Sequence, residues 1–123
     1  MLRLVPSACC KSRNGEVTRC EIGVADAIRL PVPDAALAAI VTNAPFGIQH
    51  VPRTREMSLE TWWRVVLSEF ARVVRPGGAV VILHPVDDAF TQAVRNDRDV
   101  ADTGRTAIRT LGQLASIWTL RRT

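Results

Sequence analysis

Two uninterrupted apolar runs of strand length, LAAIV at 37–41 and AVVILH at 79–84, flank the stretch SLETWWRVVLSEFARVVR at 58–75. Apolar runs without alternation predict strands covered on both faces, as in a parallel sheet. Between them Leu59, Trp63, Val66, Leu67, Phe70 and Val74 recur at helical spacing and make one apolar stripe. Ser58 is placed to cap that helix, and Glu60 in its first turn complements the helix dipole. Arg72 and Arg75 fall in the expected last turn, and Pro76-Gly77-Gly78 is expected to stop the helix. Strand, helix, strand in this order points to an α/β sheet.

The remaining segments extend this frame. Residues 1–18 carry Pro6 and a Lys11-Ser12-Arg13-Asn14-Gly15 cluster and read as an irregular lead-in. Residues 19–25 predict a short strand ending at Asp26, and the two prolines of 30–34 predict a loop. Residues 86–96 read as a helix and 97–103 as a polar linker. The end, TAIRTLGQLASIWTLRR, gives two strand-like runs hinged near Gly112-Gln113, an antiparallel hairpin. The fold class expected is α/β, a partial doubly wound (Rossmann-like) sheet ending in that hairpin. Ligands of such sheets bind outside the carboxyl ends of the parallel strands, where Asp26 and Asn43 both fall.

Composition narrows the class. A chain of 123 residues with 47% hydrophobic and 23% charged residues suits one globular domain. No apolar run approaches the ~20 residues of a membrane span, and the N-terminus shows no long apolar h-region, so no membrane and a cytoplasmic location are expected. Cys9, Cys10 and Cys20 form no CxxC, and His50 and His84 have no acidic partners at ligand spacing, so no metal site is indicated. The net charge of +4 permits a polyanionic partner. It does not establish one, because fifteen of the sixteen basic residues are Arg, scattered without a charge block.

The stretch TNAPFGIQ at 42–49 follows the first apolar run directly. The Asn43 amide oxygen and the carbonyl of Ala44 can together accept both N–H bonds of an exocyclic amine. Pro45 stiffens the loop by fixing φ. Phe46 offers a face for base stacking, worth ~1–3 kcal/mol per base. Gly47 allows a sharp turn or a close approach to a ligand. Accepting both amine protons localises the nitrogen lone pair and aims it at an electrophile, which lowers a barrier by orientation alone. The same residues are also good turn chemistry, with Phe46 as a core plug.

The segment DAIRLPVPDAALAAIVTNAPFGIQ, with ARVVRPGGAVVIL after the helix, resembles the class I S-adenosylmethionine-dependent methyltransferases. The Asn-x-Pro-Phe-Gly loop with Gln49, and the closing LGQLASIWTLRR, look most like the THUMP-linked RNA guanine amine methyltransferases of the UPF0020 type. The resemblance covers roughly residues 20–122 and implies that 19–123 is the C-terminal part of such a domain. It implies S-adenosyl-L-methionine as cofactor and RNA, tRNA or rRNA, as partner. By the same likeness Asn43, Ala44, Pro45 and Phe46 are the catalytic loop, and Asp26, Ala27 and Asn43 face the cofactor. Phe46, Gly47 and Gln49 meet the base, which a duplex must flip out. Ala44 stands where the family usually has Pro or Leu.

One departure is plain. No G-x-G occurs anywhere, so the glycine-rich loop that cradles the methionine end of the cofactor is absent. Strand 37–42 is therefore expected to present an edge, with a missing N-terminal half or a partner chain supplying the rest. Competing readings are an inactive or nucleic-acid-binding scaffold remnant, and a methyltransferase for DNA adenine or a glutamine amide.

Overall fold

The computed structural model describes residues 2–3, 23–43, 58–85 and 88–123. The chain divides into two compact units, residues 1–31 and residues 32–123. In the first, β1 (Leu2–Arg3) pairs antiparallel with β2 (Val24–Ala25), Leu2 opposite Ala25. Of the expected strand over 19–25, Val24 and Ala25 are in a strand and Gly23 is not; 19–22 lie outside the described residues.

The second unit holds the sheet. Its elements are β3 (Leu37–Asn43), α1 (Leu59–Val73), β4 (Val74–Pro85), α2 (Asp88–Asn96), β5 (Val100–Thr110) and β6 (Gln113–Arg122). The spatial order is β3-β4-β6-β5, with β3 and β4 parallel and the other pairs antiparallel. A parallel strand, its crossover helix and an antiparallel hairpin at the far side match the expected α/β class.

Helix α1 starts where its cap predicts: the Ser58 hydroxyl accepts from the Thr61 amide at 3.2 Å. It ends earlier than its periodicity predicts. Val73 is the last helical residue, and Val74 turns extended while its amide still donates to the Phe70 carbonyl. Val74 and Arg75 therefore belong to β4, not to the last turn. Pro76, Gly77 and Gly78 do not stop the helix; they form an excursion within β4. Leu37 pairs with Val74 but Ala39 with Ala79, so residues 75–78 bulge out of the ladder. Gly77 takes φ +78, a left-handed conformation favouring glycine. A Cβ on Gly78 would lie 2.7 Å from the Ala38 carbonyl oxygen and 2.9 Å from that of Arg75. The C-terminal arginines hold this excursion: Arg121 donates to the Gly77 carbonyl at 2.8 Å and Arg122 to the Val74 carbonyl.

The start of β3 is tied to the end of α1. Arg72 pairs with Glu69 at 2.6 Å and Asp34 at 2.7 Å and donates to the Val32 carbonyl at 2.9 Å. Glu69 first, then Asp34, hold its guanidinium above its ordinary pKa. The Ala35 amide returns a bond to the Arg72 carbonyl at 2.8 Å.

Cross-strand register sorts the sheet's faces. Val80, Ile82 and His84 of β4 stand opposite Leu120, Trp118 and Ser116 of β6, and all six are buried. Both helices cover this face. The Trp63, His84, Phe90 and Trp118 rings form a chain: Trp63 lies 4.8 Å from His84 and 4.7 Å from Phe90, and Phe90 lies 5.0 Å from Trp118. Edge-on pairs of this kind add ~0.5–1.5 kcal/mol each beyond their area. Trp63 is core, as the helical spacing indicated, and Trp62 is half-buried.

The opposite face carries no helix among the described residues. There Val81, Leu83 and Ile117 are only half-buried, and Val41 is 80% exposed. The expectation that strand 37–42 is covered on both faces is therefore corrected: one face packs, and no described helix covers the other. The linker expectation is corrected too, since β5 already begins at Val100 and only residues 97–99 connect it to α2. Those residues are polar because Asp97 caps the turn, its Oδ1 accepting from Asp99 and Val100 at 2.7 and 3.1 Å.

Candidate functional site

Asn43 is the last residue of β3, exposed, and paired with Leu83 of β4. It thus stands at the carboxyl end of a parallel pair, the position where open α/β sheets bind ligands. Its side chain is exposed on the face that no described helix covers, in register with Val41 and Ala39. Ala44, Pro45, Phe46, Gly47 and Gln49 lie outside the described residues, as does His50. Of the expected acceptor loop, the structure describes Asn43 alone.

Below that end the helix-covered face offers packing rather than polar chemistry. Thr42 is half-buried opposite Ile82, and His84, which the sequence left without a role, is 2% exposed between the Trp63 and Phe90 rings. No sequence signal marks this ring contact, because it joins β4 to two different helices.

Asp26 follows β2 in the first unit. Its carbonyl accepts from the Arg29 amide at 3.0 Å, and its Oδ1 accepts from the Ile28 amide at 3.1 Å. This Asx turn fixes the carboxylate, which is exposed, while the neighbouring Ala27 is buried. Oδ2 makes no hydrogen bond among the described residues, so it is free to accept from an amine. Asp26 and Asn43 belong to different units and are described separately.

These residues test the fit of S-adenosylmethionine. A fixed, exposed carboxylate beside a small buried side chain suits an adenine amine. The methionine end finds no match. Among the described glycines, Gly78 is backed by the Val74 side chain and the Ala38 carbonyl, and Gly77 sits at the opposite end of β4 from Leu83. Neither forms a cradle at the strands' carboxyl ends. The described residues fit one end of the cofactor and not the other.

Comparison with known proteins agrees with this partial architecture. The model of the UPF0020 family, described as RMKL-like, methyltransferase domain, matches residues 3–112. That span begins upstream of the residue 20 at which the sequence resemblance started. Among solved structures, the crystal structure of TrmN from Thermus thermophilus superposes with a TM-score of 0.64 at 21% sequence identity. The match covers 80% of this chain and 27% of that one, so the chain spans about a quarter of that relative's length. No curated protein sequence matches the chain. The superposition shows the shared fold, and the family match over most of the chain establishes that it belongs to the UPF0020 family of RMKL-like methyltransferase domains.

Proposed function

We propose that the chain carries the acceptor side of an RNA methyltransferase acting on an exocyclic base amine, guanine in tRNA or rRNA. The observation that carries this reading is the position of Asn43 at the carboxyl end of β3, with Ala44-Pro45-Phe46-Gly47 following directly. Asn43 and the Ala44 carbonyl accept the two amine protons, Pro45 keeps the loop in place, and the base stacks on Phe46 with Gly47 and Gln49 beside it. Asp26 and Ala27 receive the adenine of S-adenosyl-L-methionine, the methyl donor of the family. The methionine end is held by residues supplied from elsewhere, a further segment or a partner chain. In this reading the protein acts in the cytoplasm.

The test is transfer of labelled methyl groups to unmodified tRNA transcripts, read by nucleoside mass spectrometry. Methylguanosine that forms with the natural chain together with the segment or partner that supplies the methionine end, and falls about a hundredfold with Asn43→Ala, supports the reading. An Asn43→Ala protein as active as the natural one removes Asn43 from its role.

A second reading is favoured by the missing G-x-G of the sequence and by the described glycines, none of which forms a cradle at the strands' carboxyl ends: a nucleic-acid-binding scaffold without catalysis. It predicts no cofactor binding by calorimetry and no product, with RNA binding retained.

A further inference from the structure

A groove separates α2 from the β5–β6 hairpin on the helix-covered side, with a cavity volume of about 300 Å³. Thr91, Val94, Arg95, Asp97, Asp102, Arg105 and Trp118 line it. The volume is at the lower end of small-ligand sites. The groove lies on the β5 side of the sheet, across β4 and β6 from β3: it runs from Val100, opposite Arg122, to Arg105, opposite Trp118, which pairs with Ile82, itself opposite Thr42.

Its charged groups are arranged but not spent on one another. The Arg105 Cζ lies over the Trp118 ring at 4.1 Å from the centroid, and Arg105 is exposed, so the guanidinium is a planar platform on a buried indole. Neither Arg95 nor Arg105 forms an ion pair or hydrogen bond among the described residues. The two carboxylates are each committed through one oxygen to backbone. Asp97 Oδ1 accepts from Asp99 and Val100, and Asp102 Oδ1 accepts from Gly104 at 3.1 Å. Among the described residues neither Oδ2 has a hydrogen-bond partner. Two unspent cations, two half-spent carboxylates and a stacking plane call for a flat, amphoteric ligand carrying an anion.

We propose that this groove binds one nucleoside 5′-monophosphate unit, free or as a residue of single-stranded RNA. The base stacks on the Arg105 guanidinium, as bases do on arginine planes in single-strand recognition. The phosphate pairs with Arg95. The Asp102 carboxylate accepts from the base edge, which selects guanine, whose N1–H and N2–H present two adjacent donors. The site goes beyond the methyl-acceptor loop and needs neither cofactor nor turnover.

Calorimetric titration of the purified chain with GMP, AMP and a short guanine-containing oligoribonucleotide tests it. GMP or the oligoribonucleotide is expected to bind, with AMP several-fold weaker. Arg105→Ala and Arg95→Ala should each weaken binding about tenfold, and Asp102→Asn should erase the preference for guanine while keeping its bond to Gly104. Arg109→Ala, which removes a charge farther along β5, should change nothing. Binding of GMP as tight as that of the oligoribonucleotide assigns the groove to a free nucleotide; binding of the oligoribonucleotide alone assigns it to RNA. Three results overturn the proposal: no binding of either ligand at millimolar concentration, unchanged affinity in Arg95→Ala or Arg105→Ala, or an equal loss in Arg109→Ala. A thermal melt of each variant separates unfolding from lost contacts.

Discussion

The sheet has two outer strands, and they are built to opposite rules. β5 carries Asp102, Arg105 and Arg109, is interrupted by a bulge between Asp102 and Gly104, and is exposed from Ala101 to Ala107. Charge, a bulge and polar composition are the devices by which a sheet ends without inviting another strand. β3 has none of them. LAAIVTN holds no charge and no proline, and Val41 stands 80% exposed on a face that no described helix covers. Its irregularity lies near Leu37, at the amino end, leaving Ala39 to Asn43 in regular register. β5 is a terminus of the sheet, while β3 has the composition of an interior parallel strand. The difference locates what this chain completes by itself: the hairpin side, with its own finished edge.

The largest effect is expected where β3 is joined to the rest. Gly78→Ala forces a methyl group against two backbone carbonyls and the Val74 side chain, and should cost about 3 kcal/mol in chemical denaturation. Gly104→Ala on the β5 edge meets nothing within 4 Å and should change stability by less than about 0.5 kcal/mol. Equal costs at the two glycines would dissolve the contrast. Next comes association. Val41→Lys should raise the concentration at which the chain aggregates about tenfold, by light scattering, because it places a charge on the bare edge strand. Thr106→Lys, an exposed position in the already charged β5, should leave that concentration unchanged.

Much of this was legible because it is local. The stripe from Trp63 to Phe70 repeats at helical spacing, Ser58 caps by its own side chain, and Gly112 marks the hairpin turn within a residue. What failed was tertiary. Pro76-Gly77-Gly78 reads as a helix stop in any window of sequence, yet the helix has already ended and the glycines serve the passage of β4 against Ala38. Residues 100–103 read as linker because an exposed edge strand is polar, which hides it from apolar patterning. LAAIV reads as covered on both faces because composition records what a strand suits, not what lies against it. The place of Asn43 at the carboxyl end of β3 was legible from its position after an apolar run, and that of Asp26 just past β2 from the same logic. The groove was not, since Arg95, Arg105 and Trp118 come from three elements with no common motif.

The smallest effect sits at the tip of the finished edge. Thr110 pairs with Gln113 across a two-residue turn whose central residues, Leu111 and Gly112, both have positive φ, 48 and 77. That is the conformation in which Asn-Gly is preferred, because both positions need left-handed backbone. Gly112 meets it freely; Leu111 meets it at a steric cost, and its side chain is fully exposed and returns no packing. Leu111→Asn should therefore raise stability by about 0.5 kcal/mol, with no change in β3, whose register is set at the other side of the sheet. Hydrogen exchange measured strand by strand checks this: slower amides confined to β5 and β6 keep the two edges independent. Slower exchange in β3 as well would mean that the hairpin and the open edge fold as one unit, and that the contrast between them is one of composition only.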